Sequence, residues 1–243
     1  MQYIGSKNRI SNELIPIIQS YITKNTKGYL EPFVGGANVI DKIQHYNKIG
    51  CDIHKELIAL LIKARDNVEE MPNEITFNEY VDVKNNKEKY EPWYVGLVGF
   101  CATFGSKYFG GYARNTRGDN TDTTKTKRGI NALKKQAANL KGIRFENCNF
   151  LDIPIKELKE YVIYCDIPYR GSTKYATKKF PYDEFYQWVK EMSKYNTVLI
   201  SEYSMPEEFE CIWQKETKVN FDCNRGKGNE KNKRIEKLFI YNR

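Results

Sequence analysis

Tyr29-Leu30-Glu31-Pro32-Phe33-Val34-Gly35-Gly36-Ala37, followed further on by Ile49-Gly50-Cys51-Asp52, is the stretch that decides the fold. Tyr29 to Phe33 reads as a short strand ended by the Gly35-Gly36 pair. Residues 37–46 read as a helix, Ile49 to Asp52 as a second strand ending in an acid, and residues 55–68 as another helix. The order strand, Gly-Gly, helix, strand, Asp is that of a nucleotide-binding half of a doubly wound α/β fold. Glycine lets the backbone turn sharply and approach a ligand, and a helix starting there aims its N-terminus at that ligand. A lone Gly-Gly also occurs in ordinary tight turns; the strand-to-helix context is what lifts it. Asp52 suits two roles, acceptor for the ribose hydroxyls of a nucleotide-like cofactor or N-cap of the helix after it, and its spacing from the glycine pair favours the first.

On the N-terminal side, residues 9–24 carry apolar residues at helical spacing, with Pro16 set to kink that helix or delay its start. Tyr3-Ile4-Gly5-Ser6-Lys7 offers turn backbone donors and one cation; an ordinary terminus with a helix cap accounts for it equally well. On the other side, residues 70–135 are polar and mixed. Phe109 to Gly118 alternates turn signals with aromatic and basic residues, which fits a hairpin. The α/β pattern then resumes: a helix over 131–140, strands over 144–147, 161–166 and 196–201, a helix over 182–194, and a late strand over 235–241 in a terminal hairpin with 208–219. The expected architecture is a Rossmann-like α/β sheet built from residues 1–56 and 138–243, with an inserted subdomain over 57–137.

A chain of 243 residues with 40% apolar and 14% aromatic content can bury a sizeable core. The net charge of +8 by itself suits a generic solvated surface, but the charge is clustered. Residues 114–135 hold seven Lys/Arg against two Asp, and residues 218–243 hold eight against three acids. Two such clusters favour a polyanionic partner, and 18 tyrosines suit surfaces that stack on bases. The six cysteines form no CxxC or Cys/His cluster, so no metal is expected. No signal peptide or membrane-length apolar run is read, which makes the cytoplasm the default, and no dimerisation stripe is visible, which makes a monomer the default.

Asp166-Ile167-Pro168-Tyr169 follows the apolar run Tyr161-Val162-Ile163-Tyr164-Cys165. A buried strand therefore delivers an acid, a stiff turn and an aromatic ring to its carboxyl end, where open α/β sheets place ligand sites. The Asp166 carboxylate and a neighbouring carbonyl can accept both hydrogens of one exocyclic amine, and the Tyr169 ring can stack on a flat base. Together these motifs resemble the Dam-like (D12 class) DNA adenine-N6 methyltransferases, which use S-adenosylmethionine. Tyr3 to Lys7 resembles the family's N-terminal cofactor motif, Phe33 to Gly36 its Phe-x-Gly-Gly loop, and Asp166 to Tyr169 its catalytic Asp-Pro-Pro-Tyr. Asp52 matches the ribose-binding acid, while Ser201-Glu202-Tyr203 and Lys233 to Phe239 resemble later segments.

The resemblance implies cofactor contacts at Tyr3, Lys7, Phe33, Gly35, Gly36, Asp52 and Asp166, and a catalytic Asp166-Ile167-Pro168-Tyr169. The partner it implies is double-stranded DNA with the target adenine flipped onto Tyr169. The inserted subdomain would recognise the target, with Arg114, Arg117, Lys125, Lys127 and Arg128 on DNA; solvated loop residues are the plainer reading of the arginines. Two departures stand out. Ile167 replaces a proline, keeping the carbonyl but losing a fixed φ, although Pro168 still holds Ile167 extended. Ile53-His54-Lys55 lacks the Asn often found after the ribose acid. RNA adenine, cytosine N4 and a non-catalytic DNA-binding relative remain alternatives, whereas a nicotinamide dehydrogenase is disfavoured for want of a full GxGxxG. GATC is a family-level guess at the target, and orphan, phage and restriction-paired roles in a bacterial cell or phage-infected host all stay open.

Overall fold

The computed structural model describes residues 1–116, 118–169, 180–218 and 233–241. Its strands are β1 (Gly28–Glu31), β2 (Lys48–Asp52), β3 (Ile143–Asn147), β4 (Tyr161–Asp166), β5 (Thr197–Glu202), β6 (Phe209–Lys218) and β7 (Lys233–Tyr241). Its helices are α1 (Ser11–Ser20), α2 (Lys55–Asp66), α3 (Phe77–Asn85), α4 (Pro92–Cys101), α5 (Thr124–Leu140) and α6 (Tyr182–Ser193). The seven-stranded, mostly parallel sheet is the Rossmann-like α/β class read from the sequence. The chain forms two compact units, Met1–Ser20 with Pro32–Asp152, and Tyr21–Glu31 with Ile153–Arg243. The stretch 57–137 lies wholly within the first unit.

In the first unit β2 and β3 pair in parallel, with Cys51 opposite Glu146 and Asp52 opposite Asn147. α1 runs through Pro16 and buries Leu14 and Ile18, four residues apart on one face. α2 buries Leu57, Ile58, Leu60, Leu61 and Ala64. α4, Pro92-Trp-Tyr-Val-Gly-Leu-Val-Gly-Phe-Cys101, is apolar nearly all round and correspondingly buried from Val95 to Cys101. It packs on α2 at a point where only glycine fits, since a Cβ on Gly96 would sit 2.2 Å from the Glu56 carbonyl oxygen.

Three expectations for this unit are corrected. Residues 37–46 form no α-helix; a single 3-10 turn, Ile40–Lys42, stands there. Gln136 Nε2 donates to the Gly36 and Ala37 carbonyls at 3.2 and 3.0 Å, taking acceptors that a helix would need, and Ala37 lies at φ 55°. The idea that a helix N-terminus faces the ligand here goes with it. α5 begins at Thr124, not 131, because buried Thr126 donates its hydroxyl to Ile75 O at 3.1 Å and anchors a polar first turn. Residues 109–118 make no hairpin among those described. One antiparallel bridge joins Thr103 to Tyr112, and positive φ at Gly105, Ser106, Phe109 and Gly111 coils the chain between them.

The second unit carries the strand order β1-β4-β5-β7-β6. β1, β4 and β5 are parallel, and β7 runs antiparallel to both β5 and β6, so the terminal hairpin read from the sequence is present. Val162 to Cys165 of β4 are buried without alternation, as expected of a strand covered on both faces. α6 buries Phe185, Trp188, Val189 and Met192. No helix among the described residues is long and apolar enough to cross a membrane.

Candidate functional site

In the first unit the structure brings Tyr3, Gly35, Gly36 and Asp52 together. Gly35 sits at φ 48°, and a Cβ there would meet the Tyr3 ring at 2.9 Å. A Cβ on Gly36 would lie 2.6 Å from Tyr3 Cβ and 2.7 Å from Asn38 Nδ2. Both glycines are therefore required by close approach as well as by backbone angle. The Gly35 N–H donates to Asp52 Oδ2 at 3.1 Å, and Val34 N–H to Cys51 O at 2.8 Å, so the loop is tied to the end of β2.

Asp52 Oδ1 accepts the His54 N–H at 3.0 Å, while His54 itself is the N-cap of α2. Asp52 thus both braces the loop and steadies the helix entry. A carboxylate has about four acceptor positions, and the backbone N–H groups of Gly35, Ile53 and His54 act on this one, which leaves room for a further donor such as a ribose hydroxyl. Burial pushes its carboxyl above the usual range, against the pull of the His54 and Gly35 N–H groups. Phe33 packs on Phe150, with ring centroids 5.4 Å apart. Lys7 is buried in a 3-10 turn (Lys7–Arg9) capped by Ser6, and its Nζ lies 3.5 Å from Gly5 O. Tyr3 also leans on Phe100 of α4 at 5.7 Å, and Phe100 on Tyr108 at 5.0 Å, an aromatic run from the glycine loop into the 103–112 loop.

In the second unit Asp166 ends β4, half-buried and in register with Ser201 of β5. Ile167 is 2% exposed and is part of the core. The Pro168 carbonyl accepts the Tyr182 hydroxyl at 2.7 Å, which pins the turn to the start of α6. Tyr169 donates its hydroxyl to Glu236 Oε2 at 2.7 Å and meets Tyr203 edge to face at 4.4 Å. Burial, and then the Asp166 carboxylate, push the Tyr169 and Tyr164 hydroxyls well above the usual phenol range, so both stay protonated. Tyr203 lines a pocket of about 310 Å³ with Tyr186, Glu202, Ser204, Met205 and Pro206.

The basic residues are placed unevenly. Arg114 donates to Asn120 Oδ1 at 2.7 Å and lies over the Phe77 ring. Arg117 lies outside the described residues. Lys125, Lys127 and Arg128 occupy the first turns of α5, a helix with no acidic residue in its first turn. Cations at a helix N-terminus oppose the helix dipole. Lys127 is compensated by Glu74 at 2.8 Å, and Lys125 lies over the exposed ring of Phe104.

Sequence reasoning gave no role to Glu31, Glu202 or Glu236. Glu31 and Glu202 are buried, accepting from the Tyr29 hydroxyl at 2.7 Å and the Tyr203 N–H at 2.6 Å. A signal for them existed: β1, β2, β4 and β5 end in Glu31, Asp52, Asp166 and Glu202, an acid at the carboxyl end of each.

No curated protein matches the chain. Residues 3–92, the span holding Tyr3, Lys7, the Gly35-Gly36 loop and Asp52, match the family model of the D12 class N6 adenine-specific DNA methyltransferases, and the match supports placing the chain with these Dam-like enzymes.

Proposed function

We propose that this chain transfers a methyl group from S-adenosylmethionine to adenine N6 in duplex DNA, at a specific sequence. The observation that carries the reading is the family match over the glycine loop and Asp52, an adenine-specific DNA methyltransferase signature. Asp166 at the end of a buried parallel strand, with Tyr169 two residues beyond Ile167, supplies the matching chemistry.

The fit to the cofactor rests on Gly35 and Gly36, whose backbone is bare of side chains, and on the acceptor position left on Asp52. Tyr3, Lys7, Phe33 and Asp166 complete the contacts that the resemblance assigns. S-adenosylmethionine, when bound, supplies an electrophilic methyl group. Adenine N6 is a poor nucleophile because its lone pair is delocalised into the ring. Asp166 and the Ile167 carbonyl accept its two hydrogens and favour a more tetrahedral nitrogen, freeing that pair. Tyr169 stacks on the flipped base, its ring steadied by the Glu236 and Tyr203 contacts.

Residues 57–137 form the target-recognition insert in this reading. Lys125, Lys127, Arg128 and Arg114 meet phosphates or guanine edges, with Arg117 in the same role. The chain acts as a monomer.

Competition between duplex DNA, RNA and single strands, with the products digested to nucleosides and identified by mass spectrometry, tests this reading. N6-methyladenine from duplex DNA supports it. Methylated RNA or N4-methylcytosine would reassign the substrate. DNA binding without any product would favour a non-catalytic relative, the outcome that Ile167 motivates.

A further inference from the structure

Cys51 and Cys148 stand far apart in the sequence and form no recognisable metal motif. Parallel pairing sets Cys51 of β2 opposite Glu146 of β3, and Cys148, two residues after Glu146, returns to the same face. The two sulfurs and a Glu146 carboxylate oxygen all lie within 4.8 Å of one another. In a tetrahedral zinc shell, sulfurs ~2.3 Å from the ion sit just under ~4 Å apart, so small side-chain movements close this set on an ion. Cys51 is buried, Cys148 half-buried and Glu146 exposed, which gives a site with a fixed base and an open mouth.

We propose that Cys51, Glu146 and Cys148 form a binding site for a zinc-class divalent ion, with water completing the shell. Two thiolates select a soft or borderline ion over magnesium or calcium. The carboxylates of Asp52 and Asp152 also act on Cys148, opposed on the Cys51 side by the Arg144 guanidinium. Binding displaces the Arg144 Nε contact to Glu146, at 2.7 Å an exposed ion pair that exchanges readily. The ion would tie the end of β2 to the residue after β3. That clamp sits one residue from Asp52, whose backbone carbonyl already accepts the Asn147 side chain at 2.9 Å. The site does not depend on the methyl-transfer reading, and each can fail without the other.

The test uses the full chain, reduced and stripped with chelator, then titrated with zinc and separately with cobalt. One ion per chain is expected, together with a thiolate-to-cobalt charge-transfer absorption. Cys148→Ser should lose both, Glu146→Gln should weaken uptake, and Cys211→Ser, which alters an exposed thiol elsewhere, should leave both unchanged. Cys148 is half-exposed, and matched thermal melts with the parent show whether its variant folds. Absence of stoichiometric uptake by the parent chain, or uptake unaltered in Cys148→Ser, overturns the site. So does a Cys51–Cys148 disulfide that persists in reductant and leaves no thiols to ligate.

Discussion

The loop after β1 and the turn after β4 both carry residues from the carboxyl end of a parallel strand, and they are held in opposite ways. The Gly35-Gly36 loop is fixed by exclusion: Tyr3 and Asn38 stand where any Cβ would go. The Asp166–Tyr169 turn is fixed by attachment: Tyr182 holds the Pro168 carbonyl, and Glu236 holds the Tyr169 hydroxyl. A site fixed by exclusion tolerates no added atom. A site fixed by attachment tolerates a changed side chain as long as its bonds persist, and Ile167 within that turn is free to join the core.

Substitutions that attack one mode of support and spare the other sharpen this contrast. The largest effect is expected from Asp166→Ala, which removes the acceptor without adding bulk. Methyl transfer should fall by on the order of a thousandfold in a steady-state assay, with the melting profile close to that of the parent. Gly36→Ala comes next. A methyl group 2.6 Å from Tyr3 Cβ should cost about 2 kcal/mol in denaturant unfolding and weaken cofactor binding in calorimetry. Gly36→Ala at parental stability would show that the loop can yield, and would break the contrast. Tyr169→Phe should cost about 1 kcal/mol by deleting the Glu236 hydrogen bond, and should leave more activity than Tyr169→Ala because the stacking ring survives.

The smallest effect concerns pH. Burial holds His54 below its ordinary 6.5, outweighing the opposing pull of Glu56 and Asp52, with Lys87 acting in the same direction as burial. The contact between His54 Nδ1 and Glu56 Oε2 at 3.2 Å is therefore one to a neutral ring near pH 7. Below pH 6.5 the unfolded chain takes up the proton before the folded one does. Stability should accordingly fall as pH drops from about 7 to the folded value, and be steady above about pH 7. Melts of the parent and His54→Gln across that range measure the slope, which should be shallower in the variant.

The sequence made parts of this structure legible for physical reasons. β4 and β5 are continuous apolar runs, so local pattern and tertiary role agree. Asp52 and Asp166 were readable because each follows such a run. The segment 37–46 misleads because the group deciding its shape, Gln136, lies about a hundred residues away along the chain. The 103–112 loop is opaque because Ser106 and Phe109, neither of them glycine, adopt positive φ alongside Gly105 and Gly111. The start of α5 is hidden by a threonine whose value is a buried hydrogen bond, not hydropathy. Cys51 and Cys148 come together through strand register, which spacing alone does not reveal.

The central claim is that Asp166, presented at the end of β4, activates an adenine amine for methyl transfer. The most direct measurement incubates parent and Asp166→Ala chains with labelled S-adenosylmethionine and adenine-containing duplex DNA, and quantifies N6-methyladenine after digestion to nucleosides. The account predicts product from the parent alone, with both proteins folded and binding DNA alike. Equal product from the Asp166→Ala chain would contradict it.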